Sequence, residues 1–432
     1  MQQATAKFPE TLKRQEKMHW MPFLLGLLLP LITVTRDFGG ASTDVADRVI
    51  AADLILLLFL LGVFLARQLF IDSSLKLYIA VLILASFIGL CETAAGSQME
   101  KTAAGTLALT MAFLYYVGGF SIGRSPDSLR SFALGVAAGV CWEFVIVFHD
   151  YFSSTPWFFD SMENRVRGTF KKSGQLACYS LAAGCLLLLL SVKPGNSPRF
   201  RRFLRIVSFC AMFMIVASCR RSAILSVALG VCAFFVASVI QGNFKALVPL
   251  VIVLAAGIWS LVGNMDVVDD SFLGKRLFRA TESMADGESW THIEFEGAIR
   301  YVDQWFPFGV GPGQSFLFGV DHHEIHNGHL GLLVDMGLLG SFAFYWLAFG
   351  QLVMGSRNLA HKDWLNWKTF LLGITIACFA FMGHNRLFRD RTFLIFVGVV
   401  SSIQMSAMRQ GRNIRKTPAI PRSRPPLQKR AA

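Results

Sequence analysis

Charge is scarce in this 432-residue chain. Asp, Glu, Lys and Arg together make up 16% of it, against roughly 25% in ordinary soluble domains. A soluble fold of this length needs more polar surface to cover its core, so a soluble globular enzyme is excluded. Acids are the scarcer sign, 28 against 41 Lys and Arg. No two cysteines form a CxxC pair. The eight present, Cys91, Cys141, Cys178, Cys185, Cys210, Cys219, Cys232 and Cys378, lie mostly inside apolar runs, where cysteine acts as a small packing residue. The long polar stretch 264–326 has none, so no disulfide framework supports it. No internal repeat is visible. GVGPG, 309–313, lacks the strand–turn–helix context of a dinucleotide fingerprint and reads as a rigid turn. No small-residue cleavage site follows the first apolar run promptly, so that run reads as a retained helix, not a signal peptide.

What the chain has is apolar residues: 54% of the total, with 39 phenylalanines. They fall in runs long enough to cross a bilayer core at 1.5 Å per residue. These runs predict helices near 19–35, 49–66, 75–91, 103–122, 129–148, 175–192, 204–219, 222–241, 246–263, 328–350, 369–385 and 392–408. The expected class is an all-α polytopic membrane protein with about twelve transmembrane helices. Residues 1–18 form an N-terminal segment and 19–263 carry helices one to nine. One long loop, 264–327, precedes the last three helices over 328–408. The tail 409–432 is basic, contains Pro418, Pro421, Pro425 and Pro426, and is expected to be disordered.

Charge orients the bundle. With both termini cytosolic, the cytosolic side holds 25 of the 41 basic residues and only 5 of the 28 acids. The loops RQLFIDSSLK, GRSPDSLR and KPGNSPRFRRFLR are then cytosolic, as the positive-inside rule requires. Loops 149–174 and 264–326 face outward, into the periplasm of a Gram-negative inner membrane. A net charge of +13 raises nucleic acid as a partner. A basic tail beside a bilayer fits anionic membrane lipids better, so no nucleic acid is expected.

The informative residues are arginines on the unfavoured side. They cluster as Arg165, Arg167, Lys171 and Lys172; Arg220 and Arg221; Lys275, Arg276 and Arg279; and Arg386, Arg389 and Arg391, with Arg300 alone. Arg220 and Arg221 interrupt IVASCRRSAILSVAL with almost no loop. Such charges are costly at membrane depth and usually line a cavity or hold a ligand. Guanidinium matches phosphate oxygens bidentately, so a diphosphate at the membrane surface is the expected partner. The competing reading is a snorkelling pair at a tight turn. Asp53, Glu143 and Asp335 lie in or near apolar runs and read as a proton path or as hydrogen-bonding groups inside the bundle.

A second signal is HHEIHNGHLGLLVDMGLLG, 322–340. His326 stands where the long loop meets the next helix. A neutral imidazole suits proton abstraction near pH 7, and nearby arginines favour the neutral ring. Two other readings stay open: a metal site built from His322, His323, His326 and His329, and a plain surface loop. HEIH is not HExxH. Asp269–Asp270 and Glu294/Glu296 lack a complementary carboxylate set, so no metal cofactor is expected.

Three stretches resemble one family. RVRGTFKKSGQLACY, 165–179, is similar to a segment entering a helix in the O-antigen ligase and O-antigen polymerase family of lipid-linked glycan transferases. SCRRSAILSVAL, 218–229, resembles its arginine signature, with Arg221 at the family position. FPFGVGPGQSF followed by HNGHLGLLVDMGLLG, 306–340, resembles its Pro–Gly turn and His–Asn pattern. The resemblance implies a glycan donor on undecaprenyl diphosphate and an acceptor hydroxyl, on lipid A core for a ligase or on another lipid-linked glycan for a polymerase. It implies inverting transfer without metal or nucleotide sugar. His326 takes the acceptor proton, Asn327 orients the acceptor, Arg221 and Arg220 hold the diphosphate, and Arg167 contacts the donor. A further loop arginine is expected where this chain reads ESWTHIEFEGAIR, leaving Arg276, Arg279 and Arg300 as candidates. Against this stands a flippase or transporter with arginines lining its path.

Overall fold

Apolar runs in a bilayer satisfy their backbone only within themselves, which makes each a helix. The computed structural model describes residues 19–30, 51–66, 73–94, 99–153, 155–160, 165–170, 173–192, 196–218, 220–240, 290–318, 325, 327–350, 365–383 and 387–416. In chain order the helices are α1 (Trp20–Leu28), α2 (Ala51–Leu65), α3 (Ser73–Ala94), α4 (Met99–Arg124) and α5 (Pro126–Phe152). They continue as α6 (Ser173–Val192), α7 (Pro198–Ala217), α8 (Arg221–Ile240), α9 (Trp290–Arg300), α10 (Gly328–Tyr345), α11 (Leu365–Met382) and α12 (Arg391–Lys416). Between α5 and α6 a short antiparallel ladder pairs Phe159 with Val166 and Asp160 with Arg165.

Eleven of the twelve predicted runs overlap helices, the first only over Trp20–Leu28; the run 246–263 lies outside the described residues. By length and composition alone, five described helical stretches suffice to cross a membrane: Lys101–Arg124, Pro126–Phe152, Ser173–Val192, Ser222–Ile240 and Gly328–Gly350, the last of them interrupted at Gly337. Helix ends reach past the apolar runs where capping permits. Ser125 and Ser197 accept hydrogen bonds from Ser128 N and Phe200 N, with Pro126 and Pro198 at the first helical positions. Proline costs nothing there, because that N–H is unpaired anyway. The Ser–Pro segments read as loops therefore start α5 and α7. The tail expectation needs a similar correction: α12 continues to Lys416. Residues 405–416 contain Met, Ala, Arg, Gln and Lys, which favour helix, and the first proline comes only at Pro418.

Close backbone crossings hold the bundle. A Cβ on Gly119 of α4 would lie 2.1 Å from the Ile395 carbonyl of α12, and one on Gly135 of α5 would lie 2.0 Å from the Phe23 carbonyl of α1. Lipid tails are as apolar as leucine, so helices associate through such close packing. The segment before α10 has a small core of its own, in which Ala298, Trp305, Val310, Phe318 and Ile325 pack against Leu330 and Val334 of α10.

The run 328–350 is not one continuous helix. Gly337 has φ 66° and ψ −172°. His329 Nδ1 lies 2.7 Å from Tyr345 Oη, whereas a straight helix would separate those residues by about 24 Å. The chain reverses at Gly337, and 328–336 lies alongside 338–345. The break frees carbonyls, and the glycine-rich turn takes them up. Val310 N donates to Val334 O (2.9 Å), Gly311 N to Asp335 O (3.0 Å), and Leu338 N to Pro307 O (2.8 Å).

Candidate functional site

Several helices begin in one buried polar layer. Asp53, in the first turn of α2, is fully buried. It pairs with Arg391 at the start of α12 (3.0 Å) and accepts a hydrogen bond from Tyr115 Oη of α4 (2.9 Å). Asp335, just before the break in α10, pairs with Arg389 and accepts from Ser315 N (2.9 Å). Asp390 caps α12 by accepting from Phe393 N (2.7 Å). Burial holds its carboxyl above the usual range, against the opposing pull of that N–H and of Arg391. Of the two readings of Asp53 and Asp335, the geometry shows pairing inside the bundle. Each ion pair ties the 387–391 segment to a different helix.

The 165–170 segment is clamped to α5. Gly168 has φ +57°, and a Cβ there would lie 2.6 Å from Glu143 Oε2. Thr169 N donates to Glu143 Oε2 (3.1 Å), and the Thr169 hydroxyl bonds both the other Glu143 oxygen and Pro30 O. This places half-buried Arg167 just before the start of α6. Arg220 Nε donates to Ser173 Oγ at 3.0 Å. That bond joins the N-terminal ends of α6 and α8. Neither helix has an acid in its first turn, whereas α2 and α12 meet Asp53 and Asp390. α6 packs against both α8 and α12. Helix N-termini together with guanidinium attract anions. Arg221 is the first residue of α8; its side chain lies outside the described residues, as do those of Arg165, Lys171 and Lys172.

His326 lies outside the described residues; both its neighbours are within them. Ile325 is fully buried in the small core formed before α10. Asn327 caps α10: its Oδ1 accepts from His329 N (3.0 Å) and Leu330 N (3.1 Å), and its own N–H donates to buried Glu294 (3.2 Å). Asn327 thus has a structural task that the sequence reading did not assign. His329 is also engaged. Its Nε2 faces Phe379 O at 3.0 Å. A carbonyl only accepts, so Nε2 carries the proton and Nδ1 accepts from Tyr345. His322 and His323 are outside the described residues. Among the described residues, no group of three His, Cys, Asp or Glu side chains could hold a metal ion.

Arg300 sits on the exposed face of α9, 3.4 Å from Glu296. Arg276 and Arg279 lie outside the described residues. Arg389 and Arg391 thus meet their carboxylates in the layer, Arg220 sits at the α6–α8 junction, Arg167 precedes α6, and Arg300 is on the surface. Sequence reasoning noticed Arg389, Arg391, Asp53 and Asp335 but did not pair them. The available signal was a charged residue of each sign inside or beside apolar runs, since such charges survive burial mainly when paired. Compared with models of protein families and with curated proteins, the sequence matches none.

Proposed function

We propose that this chain is a multi-pass inner-membrane glycosyltransferase that moves a glycan from undecaprenyl diphosphate to an acceptor hydroxyl, as in O-antigen ligation to lipid A core. On this reading the chain crosses the membrane many times, with α10 folded back on itself, and the active site faces the periplasm. One observation carries the reading: Arg220 bridges the N-terminal ends of α6 and α8, which have no first-turn acid. A diphosphate suits guanidinium and helix N-termini together.

The acceptor oxygen attacks the anomeric carbon, and the bond from that carbon to the diphosphate oxygen breaks. The electron pair stays on the diphosphate. Arg221 and Arg220 stabilise that charge, with Arg167 contacting the donor and one of the loop arginines Arg276, Arg279 and Arg300 as a further ligand. Removing one preorganised donor from a site of this kind typically costs about 2.7–4 kcal/mol of barrier lowering. The acceptor proton passes to His326. Buried Asp53 and Asp335 already have cationic partners, and the family resemblance assigns the base to His326. No metal or nucleotide enters the scheme.

A transporter is favoured by one observation, the break in α10 at Gly337, because interrupted helices often build transport sites. His326→Ala decides between the two. In membranes with equal protein levels, the variant should lose transfer by about 10²–10⁴-fold while retaining bound donor. Near wild-type transfer would remove His326 as base. Donor movement across the bilayer without any glycosylated product would favour transport. Surface lipopolysaccharide from a deletion strain separates ligase from polymerase: bare core indicates the former, a single-repeat chain the latter.

A further inference from the structure

α7 carries charge and apolar surface in an order that none of its neighbours satisfies. Its first turns hold Arg199, Arg201, Arg202 and Arg205, and no acid is present in the first turn. Arg199, Arg202 and Arg205 are exposed and Arg201 is half-buried. None of the four has an ion-pair partner among the described residues. The helix dipole disfavours cations at this end, so helix stability does not explain them. Arg130 of α5 extends the collar, lying over the Phe200 ring at 5.7 Å.

Below the collar runs an apolar face. Positions 202, 206, 209, 213 and 216 follow alternating steps of four and three residues, which is one side of a helix; Phe213, at its edge, packs on Phe144 and Phe148 of α5. Ile206 is 57% exposed, Phe209 71% and Val216 46%. From residue 202 to residue 216 the stripe is about 21 Å long, close to the length of an extended phospholipid acyl chain.

We propose that this face of α7 binds an anionic phospholipid, with its phosphodiester held by Arg199, Arg202 and Arg205 and one acyl chain along Ile206, Phe209 and Val216. Charge selects this occupant. A second copy of the chain on the same stripe would bring two arginine collars together. A zwitterionic lipid would leave the guanidinium charge uncompensated. The inference is independent of the glycosyltransferase reading, because it uses none of the residues of the polar layer.

The test is lipid retention by the full-length protein in native mass spectrometry, with phosphatidylglycerol and phosphatidylcholine at equal concentration. Each basic residue near an anionic surface contributes about 1 kcal/mol, roughly fivefold. The triple variant R199Q/R202Q/R205Q should therefore lower the preference for phosphatidylglycerol by about a hundredfold. The corresponding triple lysine variant should keep most of it, which controls for folding. Inorganic phosphate at matched ionic strength should not displace the lipid, since it lacks the chain. The proposal is overturned if the glutamine variant keeps its preference, if both lipids are retained equally by the wild type, or if phosphate competes. It is also overturned if a Phe209→Cys variant cross-links to a second copy whatever lipid is present.

Discussion

Asp335→Ala should be among the most damaging single changes in the bundle. Asp335 is fully buried and serves three partners: Arg389 and Ser315 N through its side chain, and Gly311 N through its carbonyl. Alanine keeps the last and removes the first two. Arg389, whose side chain is 11% exposed, then keeps its charge with its carboxylate gone, which typically costs about 3–5 kcal/mol. That is a large part of a total stability of about 5–15 kcal/mol. The expected result is a large drop in the apparent melting temperature of detergent-purified protein, followed by tryptophan fluorescence and by loss of the monodisperse peak. Arg389→Met should do comparable harm, because it strands the carboxylate instead. Asp335→Asn combined with Arg389→Met removes both charges and keeps an acceptor for Ser315 N, so it should recover most of the loss. Independent sites add within about 0.5 kcal/mol. If the two single changes simply add in the double variant, the pair is not coupled and the reasoning fails.

Gly337→Ala should unseat the glycine-rich turn: its Cβ would lie 2.3 Å from the Phe308 carbonyl carbon at a φ of +66°, and faster proteolysis within 290–318 would report it. Arg220→Lys should lose most transfer in a complementation assay although charge is kept, since lysine offers neither the Nε–Ser173 bond nor a bidentate contact; full activity would reduce the site to a point charge. Thr169→Val removes the hydroxyl bonds to Glu143 and Pro30 and should cost about 1–3 kcal/mol in thermal stability, with unchanged stability arguing that the 165–170 segment is not anchored there. Transfer should persist in EDTA, and activity abolished by chelation and restored by a divalent ion would revive a metal role for the histidines.

Membrane class and helix positions were legible in the chain itself. A bilayer imposes its length on every crossing segment, and the backbone has no other partner there, so apolar runs predict helices one by one. Arg220 was legible for a related reason: a permanent charge between two apolar runs has few inexpensive places to go. What only the tertiary structure decided was pairing. Which carboxylate meets Arg389 or Arg391 depends on how α2, α10 and α12 pack, and the partners lie 54 and 338 positions apart. The reversal at Gly337 was hidden because hydropathy registers the polarity of 328–350 and not its direction. Two half-helices folded together have the same composition as one rod. The break is stabilised by the turn at 309–311, which supplies the N–H groups that the interrupted helix no longer provides.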